Sequence, residues 1–271
     1  MVARNGAVAL AYEEAGTGEP LLMIMGLSGS RRAWSRLRGH LTGSVRCLMF
    51  DNRGTGESDA ARGLLTMDDL VADTLAVLDA AGHESAHVIG VSMGGMIAQH
   101  LALEHRPRVR SLILGCTTPV GRRGVPPWRL LAATALRPLA GSQRTFHLVA
   151  PVLYAERTRH ERPERIADDL RIRLAEATSV RTSIAQLGAI SRHDTRRRLA
   201  ELRGLAVTVV HGEEDSLVPI AAGRELAGAI PGARMVALAG CGHMLTTDAE
   251  EATAAAVVEH LERVGAVAAA A

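Results

Sequence analysis

The chain has 271 residues, 47% of them hydrophobic and 22% charged, and a formal charge of +2. That balance excludes a disordered chain and gives no basis for nucleic-acid binding, while the length suffices for one large α/β domain or a core with an inserted subdomain. The positive side is all arginine, for the chain has no lysine, so the arginines reflect coding bias and are not evidence of an anionic partner.

Residues 8–13 alternate apolar and polar side chains, as a half-buried edge strand does, and Gly16-Thr17-Gly18-Glu19-Pro20 then turns the chain. Residues 21–25 are a continuous apolar run, suited to a strand covered on both faces, followed by the flexible loop Gly26-Leu27-Ser28-Gly29-Ser30. Helical spacing runs through Trp34, Leu37 and Leu41. Residues 45–50 form the next apolar strand, which ends in Asp51-Asn52-Arg53-Gly54-Thr55-Gly56-Glu57-Ser58. Apolar residues at 67, 70, 71, 75 and 78 predict a helix over 67–81, stopped by Gly82.

An apolar strand through Val88 then runs into Gly90-Val91-Ser92-Met93-Gly94 and straight out into a helix predicted to end near Glu104. This is the strand–turn–helix context in which a serine hydroxyl is held clear of a sheet. Glycine at 90 and 94 leaves room where a Cβ would collide with a neighbouring strand or helix. The helix start supplies free N–H groups and partial positive charge beside the serine oxygen. A strand over 109–114 follows, and the alternation of strands with helices implies right-handed βαβ units and a mostly parallel sheet.

The pattern breaks after Thr118. Residues 119–200 hold no convincing strand, contain prolines at 119, 126, 127, 138, 151 and 163, and read as short amphipathic helices. They are expected to form a lid over the carboxyl edge of the sheet, where open α/β sheets bind ligands. The chain thus divides into a core of residues 1–118 and 201–271 and a lid of residues 119–200.

Alternation resumes with a strand over 205–211, the loop Gly212-Glu213-Glu214-Asp215-Ser216, a helix over 221–229 and a strand over 234–238. Ala239-Gly240-Cys241-Gly242-His243-Met244 leads into a closing helix over 249–264, for which Asp248 reads as the N-cap, and the tail from 266 is expected to fray. Serine is a poor nucleophile unless a base removes its proton and an acid orients that base. Asp215 and His243 each follow a strand, at the edge that displays Ser92, and the order Ser, Asp, His belongs to one fold among those using this constellation. The reading is Ser92 as nucleophile, His243 as general base and acid, and Asp215 as the residue fixing the histidine tautomer. Glu213 and Glu214 read as solvated, His211 as a core or rim histidine, His193 and Asp194 as capping and surface charge, and Asp51 and Arg53 as a structural network.

On Met25-Gly26 to Trp34, the loop of residues 51–58, Gly90 to Gly94, Gly212-Glu213-Glu214-Asp215 with Val218-Pro219, and Gly242-His243, the sequence resembles the α/β-hydrolase fold family. The likeness covers both sides of the insertion and lies nearest the serine esterases, enol-lactonases and cofactor-free haloperoxidases or perhydrolases. It implies a mostly parallel twisted sheet flanked by helices, with a helical lid inserted after the sixth strand. It also implies an oxyanion hole from the backbone N–H groups of Leu27 and Met93, and cleavage of an ester or lactone through an acyl-enzyme without cofactor or metal. Perhydrolysis, C–C bond hydrolysis or a non-hydrolytic ring closure or elimination stand as the alternative. Serine at 92 argues against the branches that place aspartate there.

Where many relatives have His-Gly this chain has Met25-Gly26, which keeps the backbone donor and loses a polar side chain. Met25, Trp34, Trp128, Phe146 and Tyr154 are the expected pocket lining, while Arg122, Arg123 and Arg129 read as surface charge before they read as carboxylate ligands. Cys47, Cys116 and Cys241, an odd number without metal-type spacing, read as reduced thiols. With no membrane-length apolar run and no signal-peptide layout, the expected setting is the cytoplasm. The expected partner is a small ester or lactone, and a homodimer is left open.

Overall fold

The computed structural model describes residues 1–61, 63–121, 128–176 and 178–267. Strands β1 (Val2–Asn5), β2 (Val8–Ala15), β3 (Pro20–Ile24) and β4 (Arg46–Phe50) come first, with helix α1 (Ser35–Leu41) before β4. Then follow α2 (Met67–Ala80), β5 (Ala86–Val91), α3 (Met93–Glu104) and β6 (Val109–Gly115). Four helices, α4 (Trp128–Leu153), α5 (Glu156–Glu161), α6 (Pro163–Ala175) and α7 (Val180–Arg192), separate β6 from β7 (Val207–Gly212). Helix α8 (Ile220–Ala229), β8 (Arg234–Leu238), the short α9 (Leu245–Asp248) and α10 (Glu250–Arg263) complete the chain.

The eight strands form one sheet in the order β1-β2-β4-β3-β5-β6-β7-β8. Pairing is antiparallel for β1 with β2 and β2 with β4, and parallel from β4 to β8. Successive strand residues point to opposite faces. Leu21 and Met23 therefore pack with Trp34, Leu37 and Leu261 on one face, and Leu22 and Ile24 with Leu70, Met93 and Ile97 on the other. Both faces are covered by helices, which is why these strands read as unbroken apolar runs.

Two expectations about the first strands change. The strand read over 8–13 is not an edge, because β1 pairs on its outer side. Four residues at the chain start give hydrophobic periodicity too few repeats to register, so the strands read from periodicity ahead of the insertion fall one short of the six observed.

Helices α4 to α7 follow the sixth strand. The two ends of this insertion meet in a neck, where Val120 bridges Asp194, Gly121 N–H donates to His193 O (2.9 Å) and Thr195 N–H donates to Pro119 O (2.9 Å). His193 is accordingly a buried neck residue rather than a surface cap, with Nε2 donating to Thr118 O at 3.0 Å. Asp194 keeps its surface-charge role, paired with Arg196. Helix α4 breaks at Gly141, whose φ of +79° is open to glycine. Among the described residues no helix is long and apolar enough to cross a membrane.

Candidate active site

Strands β3, β5, β7 and β8 run parallel, so the loops leaving them gather at one edge of the sheet. Ser92 stands between β5 and α3 with φ +56° and ψ −120°. The glycines around it are there for contact. A Cβ on Gly94 would lie 2.0 Å from Ile24 O, and one on Gly90 2.2 Å from Gly94 O. The turn is fixed by Ser92 N–H donating to Gly115 O (2.9 Å) and by Thr117 Oγ1 donating to Ser92 O (2.7 Å). Among the described residues Ser92 Oγ makes no hydrogen bond.

His243 Nδ1 and Asp215 Oδ2 are 2.7 Å apart. The other carboxylate oxygen, Oδ1, accepts Leu217 N–H (2.9 Å) and Val218 N–H (2.8 Å). Burial opposes ionisation of Asp215, but the facing His243, hydrogen bonds from His211 and His243, and the Val218 N–H outweigh it and hold the carboxyl well below its usual range. An ionised Asp215 can only accept, so His243 Nδ1 is the donor of this bond. Glu213 and Glu214 are exposed, as read. His211 is fully buried, and its Nε2 donates to Val218 O (2.8 Å).

The histidine loop is tied to the insertion. His243 N–H and Met244 N–H both donate to Leu153 O, at 2.9 and 3.1 Å. Asp248 is not the cap of α10: residue 249 occupies that position, and Asp248 Oδ2 accepts Gly242 N–H (2.8 Å) and Ala155 N–H (3.0 Å) instead. Burial raises its carboxyl pKa.

A second loop presses on Ser92 from β3. A Cβ on Gly26 would lie 3.0 Å from Ser92 Cβ, so the loop that continues into Leu27 passes close against the serine. Met93 is the first residue of α3, so its N–H has no acceptor within the helix. The Leu27 loop is held from behind by Asn52 Nδ2 donating to Met25 O (2.8 Å). From the insertion, Gln186 Oε1 accepts Ser28 N–H (2.9 Å) while Gln186 Nε2 donates to Arg53 O (3.3 Å). Sequence reasoning missed Gln186, since nothing local marks a bond spanning 158 positions. Asp51 and Arg53 are structural, as read: Asp51 holds Arg31 and Glu57 N–H, and Arg53 pairs with Asp73.

Ser92, Leu27 and His243 all line one cavity of about 670 Å³. Met25 and Phe146 line it too, but Trp34 and Tyr154 do not. Trp34 is spent in the core on the α1 and α10 side of the sheet, and Tyr154 packs within the insertion with its hydroxyl donating to Asp169 Oδ2 (2.9 Å). Arg122 and Arg123, and the side chains of Trp128 and Arg129, lie outside the described residues. The three cysteines are free and buried. Two described groups bring metal-type donors together, Cys116 with His211 and Asp215, and Asp68 with His100 and Glu104. In the first Asp215 is already engaged by His243, and in the second Glu104 also meets Arg198.

The profile of the alpha/beta hydrolase fold family matches residues 19–249. The chain belongs to the alpha/beta hydrolase fold family. A family relative from Azorhizobium caulinodans, provisionally named carbamate hydrolase RutD, is 30% identical over 86% of this chain and 87% of its own length. A Mycobacterium tuberculosis protein provisionally named non-heme bromoperoxidase BpoC is 40% identical, but that match spans 40% of this chain and 42% of that protein. Among solved structures, the enol-lactonase from Burkholderia xenovorans LB400 superposes with a TM-score of 0.86 at 25% identity, covering 96% of this chain and 99% of that one. A thermophilic esterase from Thermogutta terrifontis gives 0.85 at 26%, covering 97% and 98%.

Proposed function

We propose that this alpha/beta hydrolase cleaves a carboxylic ester or lactone through an acyl-enzyme on Ser92. The observation that carries the reading is the His243–Asp215 hydrogen bond of 2.7 Å in a cavity that Ser92 also lines. His243 Nε2 takes the Ser92 Oγ proton as Oγ attacks the carbonyl carbon, and Asp215 balances the imidazolium that forms. Negative charge on the former carbonyl oxygen meets the N–H groups of Leu27 and Met93, each donor stabilising the transition state by about 2.7–4 kcal/mol. Collapse expels the alcohol, which takes its proton from His243. Water, with His243 now as base, then releases the acid and restores the serine. In this reading residues 119–200 act as a lid that shapes the cavity, and residues 1–118 and 201–271 supply the chemistry.

Support also comes from relatives whose names include an esterase and an enol-lactonase. Ser92→Ala is expected to lower hydrolysis of short aryl esters by about 10³-fold or more and to abolish labelling by a fluorophosphonate. Unchanged hydrolysis in that variant would refute the proposal.

A further inference from the structure

The cavity walls are largely apolar, with Leu27, Val149, Leu153, Leu187, Leu217 and Val218 among them. Against them α6 and the residue just past it turn three charged side chains to the same space: Asp169, Arg173 and Glu176. Spacings of four and three residues put them on one helix face. The two acids are each answered by an arginine from the segment after β3: Arg36 reaches Asp169 at 2.5 Å and Arg32 reaches Glu176 at 2.7 Å. Asp169 further accepts the hydroxyls of Tyr154 (2.9 Å) and Thr247 (2.7 Å).

Arg173 is different. It is the one arginine among the described lining residues, and it forms no ion pair or hydrogen bond among the described residues. Its guanidinium lies over the ring of Phe146, with Cζ 5.7 Å from the centroid. An aromatic ring interacts with a face of the guanidinium and leaves the donors at its edge free. That fork matches a carboxylate in two parallel hydrogen bonds. Those donors face a mostly apolar space, which is unfavourable for a cation without a partner.

We propose that Arg173 binds a carboxylate carried by the substrate, so that the ester or lactone turned over has a free acid group in addition to the bond that is cleaved. The inference rests on the hydrolytic reading for its reaction and on the cavity alone for its ligand. A monoanion suits the site better than a phosphate dianion, because Asp169 and Glu176 already balance Arg36 and Arg32, which leaves the single charge of Arg173 to be matched.

The test compares an aryl butyrate with the corresponding aryl hydrogen glutarate, and measures glutarate binding by calorimetry, in the intact chain and in Arg173→Gln and Arg173→Lys. The parent chain is expected to favour the glutarate ester by about tenfold or more in kcat/KM, expressed in KM, as one charge-assisted pair provides. Arg173→Gln should bring the ratio near one and remove glutarate binding, while Arg173→Lys keeps part of both. A parent ratio near one without glutarate binding, or a ratio unmoved in Arg173→Gln, overturns the inference and leaves ester hydrolysis standing. Glutarate binding that Arg173→Gln removes, with neither ester hydrolysed, upholds the carboxylate site and refutes the hydrolytic reading.

Discussion

Ser92 is held where a residue with a side chain is uncomfortable. At φ +56° and ψ −120° its Cβ crowds its own backbone, and such conformations are unfavourable by about 1–3 kcal/mol when the surroundings impose them. Here they are imposed by Gly94 against Ile24 O and by Thr117 on the serine carbonyl. Ser92→Gly should therefore eliminate ester hydrolysis and raise the thermal midpoint by about 2–4 °C for each kcal/mol relieved. Calorimetry beside an ester assay checks both, and a lowered midpoint would show that the turn holds no such strain. The glycine pattern around Ser92 was legible in the sequence because the constraint is local. The meeting of Asp215 with His243 was legible too, since parallel strands deliver their loops to one edge. What could not be read was which way side chains face. Trp34 and Tyr154 fell into cores while Met25 and Phe146 reached the cavity, and Arg173 looked like any other arginine until its neighbours were in place. Asp248 was misread for a related reason: the N-cap pattern is local, whereas its acceptor role serves N–H groups 6 and 93 positions away.

Helix α7 meets the loop after β3 through Ser183, which bonds the Ser28 hydroxyl (3.0 Å), and through the fully buried Gln186. Gln186 links Ser28 N–H to Arg53 O and so sets the loop that carries the Leu27 N–H. A donor misplaced by about 1 Å can reduce turnover by about 100-fold. Gln186→Ala is expected to lower kcat for aryl esters by about 10- to 100-fold with a smaller change in KM, because in the proposed reaction the Leu27 N–H acts on charge that develops in the transition state. Unchanged kcat, with circular dichroism matching the parent, would remove Gln186 from this role. The core helices α2, α3, α8 and α10 were legible from their periods and the buried strands from their unbroken apolar runs, whereas the helices of the insertion were legible only as a group without bounds. The first strand was not legible, and without it β2 looked like an edge, since a strand end reveals its pairing only once its partner is found.

Taken whole, the molecule encloses histidines that native packing keeps uncharged. His260 bonds Ser111 Oγ (2.8 Å) and Thr208 Oγ1 (2.8 Å), and His87 shares the same serine at 2.7 Å, joining β5, β6, β7 and α10. Burial first, then nearby Arg263, lowers the His260 pKa to about 3, and burial with His100 lowers that of His193 to about 4. His87 is lowered by burial as well. Unfolded, each would titrate near 6.5. The unfolded chain thus binds more protons below that value, so this contribution to stability is complete above pH 6.5 and declines as pH falls toward the folded pKa values. The slope approaches about 1.4 kcal/mol per pH unit for each histidine. Urea midpoints taken from pH 7 to pH 5 should fall steadily, and a flat series would show that these histidines remain neutral on unfolding or are not buried as described. The bonds on Leu153 have an effect on the same scale. One carbonyl of the insertion receives the N–H groups of His243 and Met244. The insertion therefore cannot swing away as a free door would: lifting it at that point breaks the clasp and pulls on the His243 loop, so in the proposed reaction a gaping form is also a disarmed one.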